Sequence, residues 1–451
     1  MSSLMEKIQW EKAQDETVDL FRQYLQIDTT NPPGNEIAAA RFFKEILDRE
    51  GIESRVFEPE PGRGSIMATL RGSGEKKPVI MMNHMDVVPH EPEKWCCNPF
   101  EAAEKDGYIY ARGAQDMKSL GMLEFMALLL LKRSGARLSR DVIFLGCADE
   151  ERGGSMGIGW LIDNVPALAG AGLCVNEGGG ITETSTGSLI YKVGFTEKIP
   201  SWFRVIARGD TGHGSVPHVR HCNRALVKAM NVLVDWKPEI DLVPIIEKYL
   251  STIGPFEDAK AGPILTDIRN SIKDPEKMRI LEEEYPQFNA LLRDTLTLNI
   301  IHSGSKINVI PSEGYAEFDT RILPGHTRDG LLAKVRELLQ GIPVEVEMKG
   351  GTRPVSEKLI ESEDSEFYRA VEQLAREMSP GAAVTPYVMA GASDSQYTRS
   401  LGIPSYGFAP LILNNEEKKR VHGHDERMSV RNMKFGVRGM FRLMEMVAAS
   451  S

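Results

Sequence analysis

The sequence is short of cysteine, of long apolar runs and of positive charge. Five cysteines in 451 residues do not make a disulfide framework. Cys147 and Cys174 lie in apolar, strand-like runs as small core residues, and the adjacent Cys96-Cys97 lacks metal-ligand spacing. A reducing cytoplasm is the expected compartment. The longest apolar run, Phe125 to Leu131, falls well short of the roughly 20 residues that cross a bilayer, so it predicts a buried helix and no membrane association. The opening residues, Met1-Ser2-Ser3-Leu4-Met5-Glu6-Lys7, carry no hydrophobic signal core. Lysine and arginine number 54 against 64 aspartates and glutamates, a net charge of −10. That balance offers no basic face for nucleic acid or an anionic membrane. Internal repeats and low-complexity tracts are also missing.

What remains is the composition of a soluble globular chain, too long for one ordinary core, so two domains are expected. Residues 11–26 show helical periodicity, and Asn31-Pro32-Pro33-Gly34 ends that segment in a rigid loop. A helix is predicted from Glu36 to Glu50, stopping at Gly51. Strand-like runs at 65–70, 79–82, 142–147 and 172–175 alternate with helical stretches, notably 119–133. This alternation predicts an α/β fold with a mixed, largely parallel sheet and helices on both faces. After Tyr191 the texture changes. A strand at 202–207, a helix at 223–233, strands at 295–301 and 314–322, a helix at 328–340 and a strand at 343–348 follow a β-α-β-β-α-β order. Between the first helix and second strand lies a Pro- and charge-rich helical insertion, 237–295. The expected division is a catalytic domain of 1–195 and 351–451, with a smaller α+β domain, 196–350, inserted in it. The chain closes with a long helix, about 430–448.

Candidate chemistry gathers where strands end. His84-Met85-Asp86 follows the apolar run Val79-Ile80-Met81-Met82, and in open α/β sheets binding groups collect at the carboxyl ends of strands. Asp116 lies in a glycine-containing turn that opens the 119–133 helix. Asp149-Glu150-Glu151 follows Val142-Ile143-Phe144-Leu145, and Glu177 follows Leu173-Cys174-Val175-Asn176 and precedes three glycines. His422 lies in Val421-His422-Gly423-His424-Asp425-Glu426, ahead of the last helix. Singly, each has an ordinary reading: Asp116 as a helix cap, the acidic pair as a solvated turn. Placed together on one rim of one sheet, two histidines and three carboxylates form an N/O donor set that suits zinc, cobalt or manganese better than a thiolate site would.

The chain resembles the family of dinuclear zinc hydrolases that includes aminoacylase, acetylornithine deacetylase, succinyl-diaminopimelate desuccinylase and carboxypeptidase S. The likeness runs from Thr30-Asn31-Pro32-Pro33-Gly34 to Glu426-Arg427. It is carried by His84-Met85-Asp86-Val87-Val88-Pro89, Gly113-Ala114-Gln115-Asp116-Met117-Lys118, Asp149-Glu150-Glu151, Gly212-His213-Gly214-Ser215-Val216-Pro217 and Asn308-Val309-Ile310-Pro311. The resemblance implies a zinc-exopeptidase-like catalytic domain with an inserted lid and dimerisation domain. It implies that Asp116 bridges two divalent ions, with His84 and Glu177 completing one site and Glu151 and His422 the other. His424 rivals His422; the family motif favours His422, four residues before the acidic residue matched by Glu426. Asp86 would support His84, and Glu150 would be the general base.

By the same resemblance, His213 would reach the active site of a partner subunit in a homodimer and stabilise the oxyanion, assisted by Asn308. Arg321 would grip the substrate carboxylate, and Gly391, in Gly391-Ala392-Ser393-Asp394, would line the substrate loop. Asn83 and Ala111 stand where the family often has glycine, which puts local loop geometry in question. The long 237–295 insertion is similar to the carboxypeptidase S and long-chain N-acyl amino acid hydrolase branch. The expected activity is metal-dependent hydrolysis of the amide bond of N-acyl amino acids or short peptides with a free carboxylate. The alternative is a dipeptidase, aminopeptidase or carboxypeptidase acting on short peptides. A binding protein that kept the fold and lost the chemistry is a third reading, and retention of all five candidate ligands and Glu150 speaks against it.

Overall fold

The computed structural model describes residues 4–184, 186–350, 354 and 359–450. Met1–Ser3 and the expected domain junction at 351 fall outside them. Strand and helix alternation produces the expected mixed α/β architecture. An eight-stranded sheet runs in the order Glu53–Phe57, Ser65–Leu70, Val142–Cys147, Val79–His84, Leu173–Glu183, Ser405–Leu413, Leu189–Glu197 and Ala383–Met389. Its four central strands, 142–147, 79–84, 173–183 and 405–413, are mutually parallel. Val79–His84 and Val142–Cys147 are buried at every position. Strands covered on both faces need no polar alternation, which is why they read as continuous apolar runs.

The helix Lys118–Arg133 is buried along almost its whole length. It lies between the sheet and the helices Trp10–Leu25 and Val430–Ala448. Covered on every side, it has no use for a polar face, and this explains the Phe125–Leu131 run. No helix among the described residues is long and apolar enough to cross a membrane.

A second sheet has the order Thr295–Ser303, Glu313–Ile322, Phe203–Arg208, Val344–Met348, with all neighbours antiparallel. The helices Cys222–Asp235 and Arg328–Leu338 pack on it. Strand and helix order is the expected β-α-β-β-α-β.

The helical insertion departs from expectation. Expected with the smaller unit, it has buried residues, among them Ile246, Leu250, Leu265 and Leu292, that belong to the apolar core of the eight-stranded sheet. The helix Pro244–Ile253 lies against the edge strand Ala383–Met389. An edge strand with an apolar outer face needs cover, and the insertion supplies it. Lys198 ties its end down, donating from Nζ to the carbonyls of Ala290 at 2.7 Å and Arg293 at 2.8 Å.

Candidate metal centre

His84 is the last residue of its strand and only 2% exposed. Its Nδ1 is 2.9 Å from the carbonyl of Asp86, so the ring proton sits there and Nε2 is left to face outward. The Asp86 carboxylate is 3.6 Å from that ring nitrogen, too far for a hydrogen bond. Its oxygens instead accept the backbone amides of Glu150 and Glu151, each at 3.1 Å, and the Asn31 amide at 2.8 Å. Asp86 therefore acts on His84 through charge and backbone, while it positions the two glutamates directly.

Asp116 is placed by Glu426. That fully buried carboxylate accepts the amides of Gly113, Gln115 and Asp116 at 3.0, 2.7 and 3.1 Å, and pairs with Arg112 at 2.8 Å. The turn needs Gly113, whose φ is +83°. Asp149, with φ +71°, starts the turn that presents Glu150 and Glu151. It is held by Arg63 at 2.6 Å and Asn31 at 3.2 Å. Glu177 precedes the glycine run for a steric reason: a Cβ on Gly179 would come within 2.2 Å of the Gly407 carbonyl. His422 also has a left-handed backbone, φ +60°, a strained conformation that recurs where side chains are aimed at a site.

These residues meet. His84, Asp116 and Glu177 form one group, Asp116, Glu151 and His422 a second, and His84, Glu150 and Glu151 a third; within each, one donor atom per residue lies within 4.8 Å of the others. Asp116 Oδ1 is 3.0 Å from His84 Nε2, and Oδ2 is 2.9 Å from His422 Nε2. His422 Nε2 is also 3.3 Å from Glu151 Oε1, and His84 Nε2 is 4.0 Å from Glu177 Oε1.

Charge in the cluster is lopsided. Burial pushes Glu177 well above the usual carboxylate range and Glu151 up to about 7, with Asp116 adding to both. Hydrogen bonds to Asp116 and Glu151 raise His422 to about 10. For His84, burial works against the charged form, but hydrogen bonds to Asp116 and the Asp86 charge outweigh it and raise the pKa. Asp116 is depressed, its own burial overcome by the two histidines. Four carboxylates around two imidazoles hold together only with added positive charge. Borderline-hard N and O donors converging at this spacing fit divalent metal ions.

The other expected residues lie elsewhere. Gly212–His213 pairs with Val309–Ile310, and Gly214 N donates to the Asn308 carbonyl at 2.9 Å, so His213 and Asn308 are neighbours. His213 is exposed, its Nδ1 held by the amide and hydroxyl of Ser215. Arg321 closes its fork on Asp319, at 2.8 and 3.2 Å. Gly391 is half-buried, and an added Cβ would meet only Met389 at 3.9 Å. His424 is exposed and belongs to none of the three groups. Asn83 and Ala111 leave the loops intact: Asn83 Nδ2 donates to Glu124 at 2.9 Å, and the Ala111 amide reaches the Glu426 carbonyl at 3.0 Å. The supporting roles of Asn31, Arg63 and Glu426 are not marked by any local sequence pattern. Glu426 was visible as a motif position, but its bonds to residues more than 300 positions away were not.

A mixed α/β sheet that gathers imidazoles and carboxylates at its strand ends, with no thiolate among them, is the framework of a metal-dependent hydrolase. The particular family follows: the chain belongs to Peptidase family M20/M25/M40, whose profile matches residues 80–446. Human aminoacylase-1 is 28% identical over 419 residues, covering 91% of this chain and 90% of that protein. N-fatty-acyl-amino acid synthase/hydrolase PM20D1 of Xenopus tropicalis is 28% identical over 447 residues, covering 93% of this chain and 83% of its own length. Among solved structures, the M20 family metallo-carboxypeptidase Sso-CP2 from Sulfolobus solfataricus shares the fold, with a TM-score of 0.73 at 20% identity over 96% of this chain and 99% of that one.

Proposed function

We propose that the protein hydrolyses the amide bond of N-acyl amino acids, or of short peptides, that carry a free carboxylate. One observation carries the reading. Asp116 turns one carboxylate oxygen to His84 and the other to His422, so a single side chain serves two adjoining donor groups. In this reading Asp116 would be shared by two divalent ions, with His84 and Glu177 holding one and Glu151 and His422 the other. Zinc is the expected metal, with cobalt or manganese as substitutes. Ions held there would acidify a water and polarise the scissile carbonyl.

The chain's own groups do the rest. Glu150 is 6% exposed and anchored through its amide to Asp86. It accepts the proton of the attacking water and passes it to the leaving amine. Asp86 fixes Glu150 and Glu151 together, so base and ligand keep a set spacing. His213 and Asn308, adjacent in the smaller unit, act as oxyanion donors toward the partner subunit's site in a homodimer. Arg321, its guanidinium plane oriented by Asp319, binds the substrate carboxylate, and Gly391 lets backbone approach the substrate.

The division of labour places chemistry in 1–195 and 351–451, and lid and dimer contacts in 196–350. Its helical insertion is packed against the catalytic body. The cytoplasm is the expected compartment. Support for an N-acyl substrate comes from the relatives, which are named for acyl amino acid chemistry. A hydrolysis panel tests it. An N-acetyl amino acid should be cleaved much faster than its methyl ester and than the matching dipeptide. Preference for the dipeptide would make the enzyme a peptidase, and equal rates on acid and ester would remove Arg321 from carboxylate recognition.

A further inference from the structure

The adjacent pair Cys96-Cys97 takes no part in the metal centre, yet its loop is fastened to the segment that carries His422. Cys147, Cys174 and Cys222 are buried, whereas Cys96 is exposed and Cys97 half-buried. An oxidant in solvent therefore meets this pair first. The Cys96 amide donates to Asp425 Oδ1 at 2.8 Å, three residues beyond His422. Next to it, Trp95 is buried, with the Arg112 guanidinium 5.2 Å from its ring. Arg112 donates from Nη2 to the His422 carbonyl at 3.2 Å, and from its amide to the Pro99 carbonyl at 3.0 Å. Arg112 and Asp425 thus couple the cysteine loop to the histidine loop.

The histidine loop depends on such outside support. His422 and Asp425 both have left-handed backbones, φ +60° and +53°, which non-glycine residues keep only where their surroundings impose it. The His422 side chain is half exposed, so the hydrogen bonds from Cys96 and Arg112 help to impose it. Neighbouring Cα atoms lie about 3.8 Å apart across a trans peptide, closer than the roughly 4.4–6.8 Å usual for a disulfide. Closing an S–S bond between adjacent cysteines therefore twists the backbone between them. Trp95 and Pro99 pin the loop on either side, so the twist falls at Cys96 and Cys97, where Asp425 is held.

We propose that Cys96 and Cys97 are a reversible oxidation site, whose vicinal disulfide releases Asp425 and loosens the loop carrying His422. Hydrogen peroxide is the oxidant. The Cys96 sulfur attacks one peroxide oxygen and breaks the O–O bond, giving a sulfenic acid and one water. The Cys97 sulfur then attacks the oxidised sulfur, forming the S–S bond; the S–O bond breaks, and its hydroxyl leaves as a second water with the Cys97 proton. Two thiols lose two hydrogens, and the peroxide is reduced to two waters. Burial, and then the neighbouring Cys96, push the Cys97 thiol up to about 11, so Cys97 answers an oxidised Cys96 and not the oxidant itself. Strained, solvent-reachable disulfides are readily reopened by thiols, which makes the modification reversible. Weakened metal binding at Glu151 and His422 rests on the proposed function; the oxidation and the loop response do not.

The test is to treat the zinc-loaded protein with hydrogen peroxide and map it by mass spectrometry, with Cys96→Ser and Cys97→Ser as comparisons. The peptide that holds both cysteines should lose two hydrogens, and a thiol reductant should restore them. Amide hydrogen exchange across 420–426 should quicken roughly tenfold on oxidation and return on reduction. Neither serine variant should show that change. Zinc affinity at the weaker site should fall roughly tenfold in the oxidised protein. Thiols that stay free, pair between chains or oxidise beyond the sulfenic acid without closing the ring would overturn the proposal. So would an internal disulfide that leaves exchange across 420–426 unchanged. Faster exchange with zinc affinity unaltered would count against His422 as a ligand in the proposed function and leave the oxidation site standing.

Discussion

Glu124 lies on the buried helix Lys118–Arg133 with no exposed surface, and its hydrogen bond comes from Asn83, the neighbour of His84. Burial pushes its carboxyl pKa well above the usual range, only partly offset by Asn83. The folded state therefore keeps a proton that the unfolded chain releases above about pH 4.3. Stability contributed by this proton is fully present below that pH and is lost as pH rises toward the folded pKa. Glu124→Gln cannot titrate, so its stability relative to the parent should increase between pH 5 and pH 8 in urea unfolding. A difference that does not change with pH would show that Glu124 is ionised in the fold. Individual residues differ in how much their sequence positions disclose. Asp86 was readable as a support because it follows His84 by two residues. Its bonds to the amides of Glu150 and Glu151, some 64 positions on, are set by the parallel pairing of two strands, which no local pattern carries.

Elements were legible where one rule governed them. The helices at 36–49, 118–133, 222–235 and 430–448 and the strands at 65–70, 79–84 and 142–147 follow from unbroken periodicity or continuous apolar runs. Candidate ligands could be grouped from sequence because each sits where a strand ends or a helix begins, and a parallel sheet brings such ends to one rim. The insertion was less readable: its helices have apolar faces, but sequence does not say which unit those faces meet. Ile246, fully buried on the helix Pro244–Ile253, tests its packing. Ile246→Ala should cost about 2–5 kcal/mol in denaturant unfolding. A loss below about 0.5 kcal/mol would mean that this face is not packed in solution.

At the scale of the whole molecule, His213 and Asn308 sit together on the smaller sheet's unit, whereas His84, Asp116, Glu150, Glu151, Glu177 and His422 gather on the larger sheet. In the proposed homodimer, a shared active site would join the two sets. His213→Ala and Glu150→Ala should each be nearly inactive, and mixed chains should regain up to about a quarter of the parent rate, because random pairing leaves one intact site in half of the dimers. No recovery, with subunit exchange demonstrated by native mass spectrometry, would remove His213 from a shared site. In the proposed function, the cluster around Asp116 holds the metal on which hydrolysis depends. The most direct test is to strip the protein with a chelator, add zinc back stepwise, and follow N-acetyl amino acid hydrolysis against bound metal. Activity should be lost on stripping and should recover to a level reached near about two ions per chain; full activity in metal-free protein would rule out a metal role for the Asp116 cluster.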